Sequence, residues 1–289
     1  MTLECVVNVS EGRDEKLLAD FVNASGEILL DVHRDPDHHR AVFTLAGPAP
    51  EVEDAARSLT RAAVGALDLT THAGRHPRIG VVDVVPFVPL GPERPGDLAP
   101  AVAARDRFAR WVAADLDVPC FLYGPSPHGS WPDGRERTLP DVRRRAFTTL
   151  SPDWGPRLPH PTAGGCAVGA RPVLLAYNLW VAGGSLAVVR SVASAVRGPA
   201  VRALGLDLSG RLQVSCNLVD PYAVGPAQIY DAVDGLLRDQ GARVDGGELV
   251  GLTPMAVLTA IPRSRWGQLD LRPDATIEAR LEQRGLPVD

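Results

Sequence analysis

A chain of 289 residues, 45% of them hydrophobic, has enough apolar material to bury one large core or two small ones. Its net charge of −5 is spread over interspersed acids and bases, with no basic run or basic–aromatic patch to engage nucleic acid and no apolar stretch of membrane-spanning length. Cys5, Cys120, Cys166 and Cys216 are far apart and read as free thiols, and residues 1–10 lack the positive flank and apolar core of a signal peptide, so a cytoplasmic location is expected.

In chain order, the periodicity predicts a strand over 3–9, a helix near 14–22, strands over 28–33 and 40–45, a helix over 51–67 and a strand over 79–88. The helix has apolar Val52, Ala55, Leu59, Ala63 and Leu67 at helical spacing. A helix near 98–116, a strand over 120–123 and a helix over 139–150 follow. Residues 151–169 are rich in Pro and Gly and read as a loop. The order then returns: a strand over 173–181, a helix over 186–196, strands over 201–208 and 211–219 joined by Ser209-Gly210 as a two-residue hairpin, a helix over 226–238 and a strand over 248–252. The fold class expected is α+β, with two ferredoxin-like β-α-β-β-α-β subdomains, 1–172 and 173–289.

Two helices cover one face of such a sheet and leave the other open. Over 211–219, alternation sends Leu212, Val214, Cys216 and Leu218 to one face and Gln213, Ser215 and Asn217 to the other. Over 3–9, Cys5, Val7 and Val9 alternate with Glu4, Val6 and Asn8. Open faces that meet would form a polar ligand cleft between the subdomains; a plain solvent-facing sheet is the alternative.

The segment most suggestive of chemistry is His72-Ala73-Gly74-Arg75-His76-Pro77-Arg78-Ile79-Gly80, with Asp83 following. Gly74 and Pro77 favour a turn around His76. A loop imidazole titrates near neutral pH and can take and return a proton, and two flanking arginines would lower its pKa and keep it in the basic form. An ordinary loop histidine is the alternative at this level.

Several blocks together resemble the transferase domain of the glutamate formimidoyltransferase family. Glu4-Cys5-Val6-Val7-Asn8-Val9-Ser10-Glu11-Gly12-Arg13 is similar to its N-terminal signature, and Leu29-Leu30-Asp31-Val32, Arg40 and Thr44 to its second block. His76-Pro77-Arg78-Ile79-Gly80, Asp83-Val84 and Pro86-Phe87-Val88-Pro89 resemble its catalytic block, followed by Asp117-Val118-Pro119 and Leu122-Tyr123-Gly124. Pro152-Asp153-Trp154-Gly155-Pro156, Gly169-Ala170-Arg171, Gln213-Val214-Ser215-Cys216-Asn217-Leu218 and Leu249-Val250-Gly251-Leu252 complete a collinear set spanning almost the whole chain.

The resemblance implies a folate-dependent transferase that moves a formimino group from N-formimino-L-glutamate to tetrahydrofolate in histidine degradation and one-carbon metabolism. It implies a homodimer with small-molecule partners, tetrahydrofolate as co-substrate, and no metal. It implies His76 as general base and a folate loop matched at Gly155, Pro156, Pro161 and Gly164, with a further folate contact near Arg197 and Gly198. N5 of the folate attacks the amidine carbon, and one imidazole can accept its proton and deliver it to the departing glutamate nitrogen. Arg78 and Arg171 are candidates for substrate carboxylates, with Asn8, Asp31, Arg40, Asp83, Ser215 and Asn217 as further substrate-binding positions. The chain departs from the family pattern, which has Asp at 33, Asn at 39, Glu at 75 and Gly-Glu-Tyr-Glu over 144–147, where this chain has His33, His39, Arg75 and Arg144-Arg145-Ala146-Phe147. A non-catalytic or altered-specificity folate-binding homologue is therefore the alternative. A metal-dependent hydrolase, suggested by Asp31, His33, Asp35, Asp37, His38, His39, His72 and His76, is a weaker one, because Gly74 opposes a helical His pair.

Overall fold

The computed structural model describes residues 1–74, 77–91, 97–126, 128–132, 134 and 136–286. It divides into two compact units, Met1–Pro172 together with the chain end from Arg284, and Val173–Gln283. The class is α+β, as expected from the alternation of strand and helix patterns.

The first unit is built on β1 (Thr2–Val9), α1 (Glu15–Ser25), β2 (Leu29–Asp35), β3 (Arg40–Pro48), α2 (Ala49–Ala66), β4 (Val82–Pro89), α3 (Ala99–Asp115), β5 (Cys120–Tyr123), α4 (Leu139–Arg145) and β6 (Cys166–Ala170). Its six strands lie in the order β2-β3-β1-β4-β6-β5. β1 runs antiparallel to both β3 and β4, whereas β6 is parallel to β4 and β5. α1 begins at Asp14, whose carboxylate accepts the Lys16 and Leu17 N–H groups, and stops at Gly26, where φ is 68°. α2 buries Val52, Ala56, Leu59 and Ala63, a stripe at helical spacing. That stripe packs with Leu3, Cys5, Val7, Phe43, Leu45 and Phe87 in one core. Each large apolar side chain buried there contributes about 1.5–3 kcal/mol.

On the opposite face a smaller cluster of Val84, Phe121, Tyr123, Val142 and Ala167 places α4 over β4, β6 and β5. Thr138 and Asp141 close a reciprocal capping box at the start of α4. Two expectations are corrected here. The helix ends at Arg145 and not near residue 150, because Phe147 turns to a φ of 58°. The stretch 151–169 is not all loop: its last residues enter β6, a short strand of small side chains.

The second unit runs β7 (Leu175–Ala182), α5 (Leu186–Ala195), β8 (Val201–Leu208), β9 (Arg211–Leu218), α6 (Pro226–Arg238) and β10 (Arg243–Val250), in the sheet order β10-β7-β9-β8. Ser209 and Gly210, with φ of 56° and 90°, form the two-residue hairpin turn between β8 and β9. Gly210 N–H donates to the Asp207 carboxylate at 2.8 Å. Two further helices, α7 (Met255–Thr259) and α8 (Ile277–Gln283), were not foreseen. Among the described residues no helix is long and apolar enough to cross a membrane.

Candidate active site

The polar end of the first sheet gathers its charge around one carboxylate. Asp83, the second residue of β4, has 2% of its surface exposed. A buried carboxylate is stable only if its oxygens are met by donors or charge. The Ile79 N–H donates to Oδ1 at 2.8 Å, Arg143 Nη2 donates to Oδ2 at 2.5 Å, and Arg40 Nη1 lies 3.7 Å from Oδ2. Arg40 stands at the first position of β3 and donates through Nε, 3.0 Å, and through Nη2 to the Asn8 Oδ1 acceptor. Asn8 is held in turn by donating to the Val6 carbonyl at 2.9 Å. Asn8, Arg40 and Asp83 therefore come together, joined by Arg143 from α4.

The cluster is cationic. Burial, reinforced by the Arg143 and Arg78 charges and opposed by Asp83, lowers the Arg40 pKa to about 10. Arg40 remains charged at pH 7.

Arg78 belongs to the loop between the two halves of this end. Its guanidinium donates to the carbonyls of His38 at 3.0 Å and His39 at 3.2 Å, fastening the β2–β3 turn. A Cβ at Gly74 would lie 2.1 Å from Arg78 Nη2 and 2.7 Å from the His38 oxygen, so the close approach requires glycine. His39 and His72 stack with ring centroids 4.2 Å apart. Burial lowers both pKa values; Arg78 adds to this for both rings, and His39 for His72. His39 Nδ1 accepts the Gly12 N–H at 3.2 Å and His72 Nδ1 accepts the Gly74 N–H at 3.0 Å, which puts the ring proton of each neutral imidazole on Nε2. His72 Nε2 lies 2.7 Å from Arg78 Nη1, which joins the ring pair to the guanidinium.

The proposed folate loop is tied to the same end. Val81 N–H donates to the Ala163 carbonyl at 2.9 Å, Gly165 N–H to Ile79 at 2.8 Å, and Leu69 N–H to Thr162 at 2.7 Å. Gly80 and Gly164 pair across this contact, and a Cβ on Gly80 would meet the Gly165 oxygen at 1.9 Å. Gly164 and Gly155 have φ of 72° and 89°, so both positions favour glycine. Pro156 and Pro161 lie between them. The loop thus zips onto residues 79–81, three residues beyond His76.

His76 and Arg75 lie outside the described residues. Asp31 and His33 lie in β2 opposite Thr44 and Val42, in the same row as the Asp35–Arg40 pair. Burial opposes ionisation of Asp35, but the hydrogen bonds and charge of His38 outweigh it and lower its pKa. Arg171 follows β6 beside Phe87, roughly 13 Å along β4 from Asp83, and its Nη1 donates to the Pro172 carbonyl at 2.9 Å. In the second unit, Ser215 and Asn217 share the face of β9 opposite Val214, Cys216 and Leu218. Arg197 donates through Nε to the Ala203 carbonyl at 2.9 Å, and Gly198 borders a cavity of about 380 Å³ with Pro199, Val201 and Gln228. Sequence reasoning missed Arg143 as a member of the Asp83 cluster, and it named His39 and His72 without pairing them. Among the described residues no group of three or more His, Cys, Asp or Glu side chains is placed to hold a metal ion.

Comparison with known proteins adds the following. The family model for the formiminotransferase domain, N-terminal subdomain, matches residues 2–171. A glutamate formimidoyltransferase of Streptococcus pyogenes serotype M1 is 32% identical over 276 residues, covering 89% of this chain and 90% of its own. One of Thermoplasma acidophilum is 31% identical over 287 residues, covering 90% and 91%. A formimidoyltransferase-cyclodeaminase of Sus scrofa is 31% identical over 286 residues; the match covers 89% of this chain but 51% of that protein, so this chain spans about half of its length. A solved microcompartment protein of Desulfitobacterium hafniense, 11% identical with a TM-score of 0.22 over 90% of this chain and 99% of the other, is too remote to inform the fold.

Proposed function

The chain belongs to the formiminotransferase family, and we propose that it is the enzyme that moves a formimino group from N-formimino-L-glutamate to tetrahydrofolate. The observation that carries this reading is the match along nearly the whole of two glutamate formimidoyltransferases, with the matched loop fastened to residues 79–81. The enzyme is a transferase; donor, acceptor and residue roles are our assignment.

The donor is an anion with two carboxylates. We assign one of them to Arg40, Arg78 and Arg143, the guanidiniums at this end of the first sheet, because guanidinium forks bind carboxylates bidentately. Asn8 and Asp83 act through the arginines by fixing their orientation. His76 takes the proton from the attacking folate nitrogen and returns it to the departing glutamate nitrogen. Gly155, Pro156, Pro161 and Gly164 form the folate loop; Arg197, Gly198, Ser215 and Asn217 are folate or substrate positions in the second unit. Asp31 and Arg171 are further donor contacts. Holding both substrates in one geometry supplies much of the remaining acceleration. Each unit is read as ferredoxin-like: both sheets place the outer strands of the β-α-β-β-α-β set around its first and third strands. The enzyme is expected to work in the cytoplasm as a homodimer, in histidine degradation.

The test is turnover with tetrahydrofolate and N-formimino-L-glutamate, following 5-formimino-tetrahydrofolate, alongside His76→Ala. Product from the native chain and a loss of about 10²–10⁴-fold in a folded His76→Ala variant are expected. Full activity in that variant removes His76 from the mechanism. Folate binding without turnover identifies a non-catalytic homologue, the outcome that His33 and Arg75 make worth measuring.

A further inference from the structure

Beside the arginines assigned to the donor, one imidazole stands between a hydrogen-bond donor and an acceptor. His39 takes a φ of 51°, a left-handed conformation that a non-glycine residue keeps only where its surroundings hold it. Arg78 holds it here by donating to the His39 carbonyl at 3.2 Å. The ring Nδ1 faces two groups at once, the Gly12 N–H at 3.2 Å and Glu11 Oε1 at 3.4 Å. Both are fixed in place. A Cβ on Gly12 would meet the Asp35 oxygen at 2.5 Å and the Arg40 nitrogen at 2.6 Å, so its backbone is pressed against the ends of β2 and β3. The buried Glu11 carboxylate accepts the Arg13 N–H at 2.6 Å and the Asp14 N–H at 2.9 Å, so it does not depend on His39 for its position. A neutral His39 accepts from Gly12, and a protonated one donates to Glu11. Each protonation state has a partner waiting.

The charge beside the ring selects between them. His39 stacks on His72 with 4.2 Å between centroids, and His72 Nε2 lies 2.7 Å from Arg78 Nη1. The charged groups facing the pair are Glu11 and Arg13, from the turn after β1, and Arg78, from the loop before β4. Asp35 and His38, of the same turn as His39, bond to each other, and Arg40 reaches Asn8 and Asp83. Burial, joined by the arginine charges, outweighs Glu11 and keeps both rings neutral at pH 7. An anion bound to Arg78 offsets one of those arginine charges.

We propose that the stacked pair couples donor binding to a proton: when a donor carboxylate engages Arg78, His39 takes one proton from solvent at Nδ1 and shares it with Glu11. The coupling rests on the carboxylate assignment made under the proposed function and adds a regulation of that same site. The complex then binds more protons than the free chain, so the donor is held more tightly as the pH falls. A neighbouring charge moves a pKa by about one unit or more, which puts the gain in affinity at roughly tenfold between pH 7 and about 5.5. The family pattern has Asn at position 39, which cannot titrate, so the coupling belongs to this chain.

The test is calorimetric titration of N-formimino-L-glutamate into the folate-free native chain in two buffers of unequal ionisation heat, where the difference in heat counts the protons taken up. A large fraction of one proton is expected at about pH 6 and almost none at about pH 8. In His39→Asn, which keeps an acceptor for the Gly12 N–H, the uptake at about pH 6 falls by roughly half or more, and affinity no longer rises on acidification. Glu11→Gln keeps the oxygen that accepts from Arg13 and Asp14 but not the charge, and it is expected to lose uptake in the same way; it replaces His39→Asn if that variant does not fold. Donor binding without proton uptake in the native chain overturns the coupling and leaves the proposed function standing. Full uptake in either folded variant does the same, because another group then carries the proton. No binding of the donor to the native chain overturns the donor assignment of the proposed function and the coupling with it.

Discussion

The polar faces of the two sheets solve opposite problems. At the end of the first, Asn8, Arg40 and Asp83 are joined to one another and to Arg143 Nη2, with Arg143 Nε alone left unmet, and the excess is charge: three guanidiniums, counting Arg78, against the buried carboxylate of Asp83. On the second, the central group is neutral and has none, since both amide atoms of Gln213 are buried without a partner. A preassembled cationic cluster binds an anion with little reorganisation. An unmet amide selects a ligand by donor and acceptor order, because a ring with the wrong order leaves it unmet. Under the proposed function, the contrast would divide recognition between the substrates: charge for the amino-acid donor, hydrogen-bond pattern for the heterocycle.

Three changes break or sharpen that contrast. The largest effect is expected from Asp83→Ala, which leaves Arg40 and Arg143 without their buried counter-charge and should destabilise the protein by about 3–5 kcal/mol in denaturant unfolding. A loss under about 1 kcal/mol would mean that solvent, and not Asp83, balances the cluster.

The next is a pH effect confined to the first unit. His39 and His72 are held below their ordinary value of 6.5, so on acidification the unfolded chain takes up these protons first. Their contribution to stability is whole above about pH 6.5 and is lost as the pH falls below it toward the folded-state values. His72→Phe should flatten the fall in melting temperature between pH 7 and about 5. An unaltered slope would show that the stacked pair stays neutral at no cost to the fold. The smallest effect belongs to the second unit: Arg265→Ala removes a two-pronged pair with Asp231, 2.7 and 2.8 Å, whose acid is 61% exposed. Exposed pairs contribute at most about 1 kcal/mol, and a larger loss would mean that charge matters on the second unit as well.

What the sequence made legible was local. Ser209-Gly210 reads as a hairpin because the turn needs left-handed backbone at two adjacent positions, and both have it. The stripe Val214, Cys216 and Leu218 against Gln213, Ser215 and Asn217 reads directly from alternation. β6 was hidden because its small residues Cys166–Ala170 follow a Pro- and Gly-rich stretch, and its partners are β4 and β5, far away in sequence. Arg143 was hidden among three consecutive arginines. Only the packing of Leu139, Val142 and Ala146 sets the phase of α4 that carries Arg143 to Asp83 while Arg144 stays at the surface. Gln213 was visible as a polar residue on the open face; that nothing in the fold answers its amide is a fact about its neighbours, which alternation does not contain.

The division of recognition is tested most directly by hydrogen exchange of the native chain with each substrate alone. With 5-formyl-tetrahydrofolate, slower exchange is expected in the loop 155–164 and in β9, Arg211–Leu218. With N-formimino-L-glutamate alone, it is expected at the start of β3 and in α4, Leu139–Arg145, with β9 unchanged. Protection of β9 by the amino-acid donor, or of β3 and α4 by folate with none in β9, would contradict the account.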